Sequence, residues 1–397
     1  MRTKSHVRAL ALGLATSIGI CVLAGCGQKG DAPADASGVS ESVEADAAAE
    51  SSSEVTTETA ESSPTAKEAA AEALKHEIVR VGDDGASVKV GMVCDVGGIN
   101  DHSFNQSAWD GMLFLNSNLN ARVSYVETTS TEEFVTDLSR LAEDGNDVCW
   151  GIGYQFSDAI LEAAGNYPDK HFAIVDYAYD RVPDNVTCAV FSAEEPSFIV
   201  GYVAGRMTES GKVGFIGGMD VNAIHAFQYG YMAGVDRADS ETGGSTEVMC
   251  EFIGSFDDAE GGKAAALDMY DQGCDVIFHA AGGTGVGVIE AAGETGKYVI
   301  GVDCDQSYLA PDVVLTSAVK KVDVIVSNIS VQYGMGDNVG GKMIEYGLKE
   351  HAVGIPDEHP LIPDEIYDAA KQMEQEIMYG GLEVPSNETE YAAFTSK

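Results

Sequence analysis

The sequence predicts an α/β protein of two doubly wound parallel-sheet lobes with a ligand cleft between them. Three observations carry this. Short apolar runs alternate with helical stretches. Two such series follow one another. Polar or conformationally special residues fall just after the runs. The runs are rich in Val, Ile and Phe and occupy 88–94, 147–152, 171–176, 212–216, 247–253, 275–279 and 298–302. Strand, helix, strand in sequence implies parallel strands covered by helices on both faces. One helix is written out: Ser130-Thr131-Glu132-Glu133 resembles a capping box, and Phe134, Leu138 and Leu141 recur on one helical face. In open α/β sheets ligands lie beyond the carboxyl ends of the strands. There the sequence places Asp95, Gly153-Tyr154, Asp176, Gly217-Gly218, Phe256, Gly282-Gly283 and Asp303. Seven such positions in order fit a cleft lined from both sides.

The N-terminus sets the compartment. Arg2, Lys4 and Arg8 precede an apolar stretch over 9–22, too short and too close to the start to be a lasting membrane span. It ends in Leu23-Ala24-Gly25-Cys26, which resembles a bacterial lipobox. Residues 1–25 are thus expected to be a lipoprotein signal peptide, and Cys26 the lipidated residue. Several acyl chains on one cysteine anchor firmly, at about 0.8 kcal/mol per buried methylene. From Gly27 the chain turns to Ala, Ser, Glu, Asp and Thr and cannot bury enough surface to offset its ordering entropy. Residues 26–85 are expected to be the lipidated cysteine and a disordered acidic tether, and the remainder is long enough for two lobes.

Composition narrows the partners. With 64 acidic and 23 basic residues the formal net charge is −41. That argues against nucleic acid and anionic headgroups, leaves the lipid as the only membrane contact, and favours a neutral ligand. Beyond Cys21 and Cys26, six cysteines stand singly in or beside apolar runs without a CxxC pair, as small core residues do.

The segment VCDVGGINDHSFNQSAWDG, 93–111, resembles the opening motif of the basic membrane protein family of lipoproteins. The resemblance continues through WGIGYQFSDAI (150–160), KVGFIGGMD (212–220), CDVIFHAAGGTGVGV (274–288), IGVDCDQ (300–306) and LTSAVKKVD (315–323). It implies a type I periplasmic-binding-protein fold with three crossovers, near 191–194, 317–320 and 353–356. The lobes would then comprise 86–193 plus 319–353 and 194–318 plus 354–397. It implies a substrate-binding protein on the extracytoplasmic face of the bacterial cell membrane. There it would take a purine nucleoside (guanosine, adenosine or inosine) to the permease subunits of an ABC transporter.

The family's nucleoside receptors sandwich the base between two aromatic rings. Phe104 matches one; Phe256, in FIGSFDD, matches the other, with Phe227 as the alternative. Phe104 lies among Asp101, His102, Ser103, Asn105 and Gln106, poor company for a core residue. Ionised carboxylates accept well from base N–H groups and from a ribose diol. Asp176 is the expected base contact, with Asp95, Asp101 and Asn105 also in reach. By resemblance Asp303 takes the diol and Lys320 donates to the sugar, while amides near Gly282 approach it. For Asp176 and Asp303 the alternative is a helix N-cap.

Two other readings compete. A sugar or signalling-molecule receptor on the same fold would use the same residue types. A nucleoside hydrolase also opens on an Asp-rich turn, where carboxylates hold Ca2+. Here Gly97 and His102 stand where that pattern needs charge, so a calcium site would be weak. AGGTGVGV (281–288) lacks dinucleotide spacing, and HExxH and GxSxG are absent. The expectation is a binding protein without enzyme activity, cofactor or metal.

Overall fold

The computed structural model describes residues 77–396. The expected signal peptide, Cys26 and the tether up to residue 76 lie outside the described residues. The first lobe is built on seven strands: β1 (Val79–Val81), β2 (Lys89–Cys94), β3 (Arg122–Glu127), β4 (Val148–Gly151), β5 (His171–Val175), β6 (Val186–Phe191) and β12 (Lys342–Tyr346). Their order is β1-β3-β2-β4-β5-β6-β12. The second carries six: β7 (Lys212–Gly217), β8 (Glu247–Phe252), β9 (Val276–Ala280), β10 (Tyr298–Asp303), β11 (Val314–Lys320) and β13 (Val353–Gly354), in the order β13-β11-β10-β9-β7-β8. Pairing is parallel throughout except at β1 and β13, the two edges that run antiparallel.

Both sheets are covered on both faces, which explains the near-continuous apolar runs. In β2, Val90, Met92 and Cys94 pack with helices α1 (Phe104–Leu119) and α8 (Val322–Gly334). Val93 points the other way, to α2 (Phe134–Glu143) and α3 (Ser157–Asn166). The second lobe repeats the scheme. Val276, Phe278 and Ala280 of β9 face α4 (Glu194–Met207), α5 (Asn222–Thr242) and α9 (Asp364–Met378). Ile277 faces α6 (Ala259–Asp271) and α7 (Thr284–Thr295). A short α10 (Glu388–Thr395) closes the chain against α5, where Tyr391 donates to Asp236 at 2.7 Å.

All seven predicted runs are strands. The Ser130 start is also observed, but the hydroxyl accepts from the Glu132 N–H at 3.2 Å and begins a 3-10 turn ahead of α2. Three boundaries differ from expectation. The tether does not reach residue 85, because Val79 and Val81 pair with Tyr125 and Val123 and extend the first sheet. The chain leaves the first sheet after Phe191, but it returns only after Lys320, whose strand is still paired in the second sheet. It leaves again between Tyr346 and Val353, earlier than 353–356. The last two shifts share a cause: β13 closes the edge of the second sheet against β11, so Lys320 and Val353 are registered partners there. Of the six described cysteines, all free, Cys94, Cys149, Cys188 and Cys274 are buried. Cys250 is exposed, because β8 is an edge strand.

Candidate functional site

The carboxyl ends of the two sheets meet around one cavity with an empty volume of about 660 Å3, its mouth included. From the first lobe it is lined by Asp95, Asp101, Phe104, Asn105 and Asp176, and from the second by Phe256, Gly282, Asp303 and Lys320. Thus every residue singled out in the sequence for ligand contact borders this space. Other residues line it too: Tyr154, which the sequence marks at a strand end, with Gln155 beside it after β4, and Ala223 and Ile224 at the start of α5. The first two follow a strand end and were accessible to the same rule. The latter two are ordinary apolar residues without a signal. Phe227 lines the cavity as well, but it is only 4% exposed and belongs to the second lobe's core.

Each carboxylate has a distinct setting. Asp101 holds the start of α1: Oδ1 accepts from the Ser103 and Gln106 N–H groups at 2.9 and 3.0 Å, and Oδ2 from Asn105 at 2.8 Å. This satisfies donors that a helix start leaves open. It also commits both oxygens, so Asp101 shapes the site more than it offers acceptors. Burial pushes its pKa up to about 6 against those bonds. Asp95 Oδ1 accepts from Asn105 Nδ2 at 2.7 Å and from the Gly97 N–H at 3.0 Å. Burial raises its pKa too, with those two bonds opposing.

Asp303 is raised to about 6 by burial, opposed by Lys320 and by the Ser103 hydroxyl that donates to its Oδ2. Asp176 Oδ2 meets the Lys320 ammonium at 2.5 Å. That ammonium sits 4.4 Å from the centre of the Phe104 ring, 5.1 Å from Phe191 and 5.8 Å from Phe227. The only cation among the described residues that line the cavity is thus held between a carboxylate and ring faces.

Backbone strain collects here. His102, Asp176 and Asp303 adopt φ of +55°, +64° and +65°. The other two described non-glycine residues with positive φ, Asn120 and His351, are helix C-caps. Left-handed backbone costs a non-glycine residue free energy and persists where the surroundings impose it. At Asp176 and Asp303 it follows directly after β5 and at the end of β10, turning each carboxylate into the cleft. Gly218 acts through its missing side chain. A Cβ there would lie 2.3 Å from Phe256 Cδ1, so glycine makes room for the ring.

The lobes touch through this site. The His102 carbonyl accepts from Gln306 Nε2 at 3.0 Å and from the Cys304 thiol at 3.5 Å. His102 Nδ1 lies 3.1 Å from the Tyr308 hydroxyl, beside the Ser103–Asp303 bond. A cleft lined by aromatic rings from both lobes and mostly acceptor groups suits capture of a small, donor-bearing molecule.

The comparisons agree with this geometry. Residues 88–388 match the family described as ABC transporter substrate-binding protein PnrA-like. Basic membrane protein A of Borreliella burgdorferi is 39% identical over 312 residues, covering 77% of this chain and 90% of that protein. The CD4+ T-cell-stimulating antigen of Listeria innocua is 37% identical over 327 residues, covering 77% and 90%. Among solved structures, an ABC transporter system solute-binding protein from Aeropyrum pernix superposes with a TM-score of 0.71 at 25% identity, covering 78% of this chain and 96% of that one. No helix among the described residues is long and apolar enough to cross a membrane. A two-lobed fold with its cleft at the strand ends, and a match running from β2 to α10, together make this chain a member of the PnrA-like ABC transporter substrate-binding family, that of the basic membrane proteins.

Proposed function

We propose that the cleft captures a purine nucleoside, with the base between Phe104 and Phe256 and the ribose against Asp303 and Lys320. The protein would be held to the outer face of the cell membrane through lipid on Cys26 and would deliver its ligand to the ABC permease. The observation that carries this reading is the pairing in one cleft of an aromatic ring from each lobe with a carboxylate–lysine group. Ring faces match the π surface of a base. Asp303 and Lys320 offer an acceptor and a donor for adjacent hydroxyls. Extraction of the molecule that copurifies with the protein, identified by mass spectrometry, tests the reading. Tight binding of free ribose with no nucleoside bound would overturn it.

Asp303→Ala is expected to weaken ribonucleosides by roughly 1.5–3 kcal/mol, the range for hydrogen bonds to a charged group. It should change 2′,3′-dideoxynucleosides much less, since they present no diol; calorimetry with inosine and dideoxyinosine reads the difference. Wild-type affinity should depend on pH through the same group. Its pKa of about 6 is raised by burial, and a diol that donates to the ionised form pulls it down. Ribonucleoside affinity is therefore expected to be full above that pKa and to fall as pH drops through it.

The anchor has its own test. Cys26→Ala is expected to take up no radiolabelled palmitate and to leave the membrane fraction or remain unprocessed. Equal labelling of wild type and variant would remove Cys26 as the lipid site.

A further inference from the structure

Beside the cavity, but outside it, one segment of the second lobe grips one residue of the first. The His102 carbonyl accepts from Gln306 Nε2 and from the Cys304 thiol, and His102 Nδ1 lies 3.1 Å from the Tyr308 hydroxyl. None of these four residues lines the cavity. Their contacts therefore form or break with the approach of the lobes, whatever the cavity holds.

Both halves of the contact are set in advance. Gln306 is fully buried, and its amide has one orientation: Oε1 accepts from the Val302 N–H at 2.9 Å, so the NH2 end faces the His102 carbonyl. The Gln306 N–H donates to Ser317 Oγ at 3.1 Å, and the Leu309 N–H donates to the Gln306 carbonyl at 3.0 Å. The second lobe thus presents a donor whose side-chain freedom is already lost. On the first lobe, His102 has a φ of +55°. Asp176 and Asp303, also left-handed, place a carboxylate in the cavity wall, and Asn120 and His351 cap helices. His102 does neither. Its strained backbone serves the carbonyl that meets the second lobe. Both ends are tied to the site. Phe104 lies two residues beyond His102, and Cys304 follows Asp303 directly.

We propose that the 304–308 segment is an interlobe latch: by holding the His102 carbonyl from outside the cavity it keeps the lobes closed, and so governs how long a captured molecule stays and not which molecule is captured. The inference does not depend on the identity of that molecule. In an open form the same donors and carbonyl would meet water, so each bond contributes only a modest net amount. A weak latch suits a receptor that must also release what it holds.

Two variants of the full-length protein test this. Gln306→Met removes the principal donor at similar side-chain length. Cys304→Ala combined with Tyr308→Phe removes the two flanking contacts and leaves the buried amide in place. Tritiated inosine should leave Gln306→Met roughly two- to tenfold faster than wild type, the factor for one neutral hydrogen bond. It should leave the double variant faster as well. The entry rate and the ratio of inosine to adenosine affinity should not change. Hydrogen exchange, followed by mass spectrometry without any nucleoside, should quicken in 100–106 of the first lobe as well as in 304–310 of the second. A variant that only loosens its own loop would quicken 304–310 alone, and that result would overturn the latch. So would release rates equal to wild type, or an altered inosine–adenosine ratio, which would make Gln306 a recognition residue. If wild type binds no inosine, the nucleoside reading fails, and hydrogen exchange still decides between latch and loop.

Discussion

Lys320→Met is expected to lower the unfolding free energy by about 3 kcal/mol at neutral pH, the scale for breaking a buried pair by removing one partner. Lys320 is 3% exposed and is the counter-charge for Asp176, at 2.5 Å, and for Asp303. Methionine keeps much of the stem's volume among Phe104, Phe191 and Phe227 but leaves the carboxylates without a cation. The pH dependence separates this cause from lost packing. The folded pKa of Asp303 already lies at about 6, above the ordinary carboxylate value, and without the lysine it rises further. A carboxyl so raised binds its proton more tightly folded than unfolded. Its contribution therefore favours folding in acid and is lost as pH rises through the folded pKa. The deficit should be largest above that pKa and shrink on mild acidification. Urea unfolding of wild type and variant across this range measures it. A deficit independent of pH would mean that packing, and not charge, explains the loss.

Phe104→Ala is expected to weaken purine nucleosides by roughly 1–3 kcal/mol, the range for losing one stacked ring. That is roughly ten- to hundredfold in affinity. The ring is half-buried at the cavity wall and also supports the Lys320 ammonium, so a modest fall in melting temperature should accompany the loss. Phe227→Ala provides the contrast. Its ring lies within 6.3 Å of Phe278 in the second lobe's core, and truncation there should act mainly on stability. If Phe104→Ala binds guanosine as wild type does, the base does not stack on that ring. If it loses binding only in step with its melting temperature, Phe104 acts as a packing residue.

Legibility in the sequence followed burial. Six of the seven runs that announced themselves are buried central strands, where both faces demand apolar residues; the seventh, β8, is a half-exposed edge that was legible from its own apolar residues. The strands not read out are of two kinds. β6 (VTCAVF) and β11 (VLTSAVK) are mostly buried, but Thr and Ser break their apolar runs. β1, β12 and β13 are edges, either two or three residues long or half-exposed like Lys342–Tyr346. An edge strand takes its identity from the partner it finds, not from its own composition. The misplaced crossovers have this origin, since the ends of β11 and β13 are defined only by each other.

The sequence by itself determined the α/β class, the alternation that buries both faces of each sheet, and the set of residues at the strand ends that now border one cavity. Those are consequences of local periodicity and of chain direction, both written residue by residue. Only the tertiary structure decided what each polar residue can still offer a ligand. Four aspartates of the site look alike in sequence, yet Asp101 spends both oxygens on the start of α1 and Asp176 is engaged by Lys320. Asp303 meets Ser103 across the lobes, and Asp95 turns Asn105 so that a bare carbonyl remains. A hydrogen bond depends on distances of a few tenths of an ångström between groups as far as 206 residues apart in sequence. Spacing along a chain does not encode such distances, and packing does.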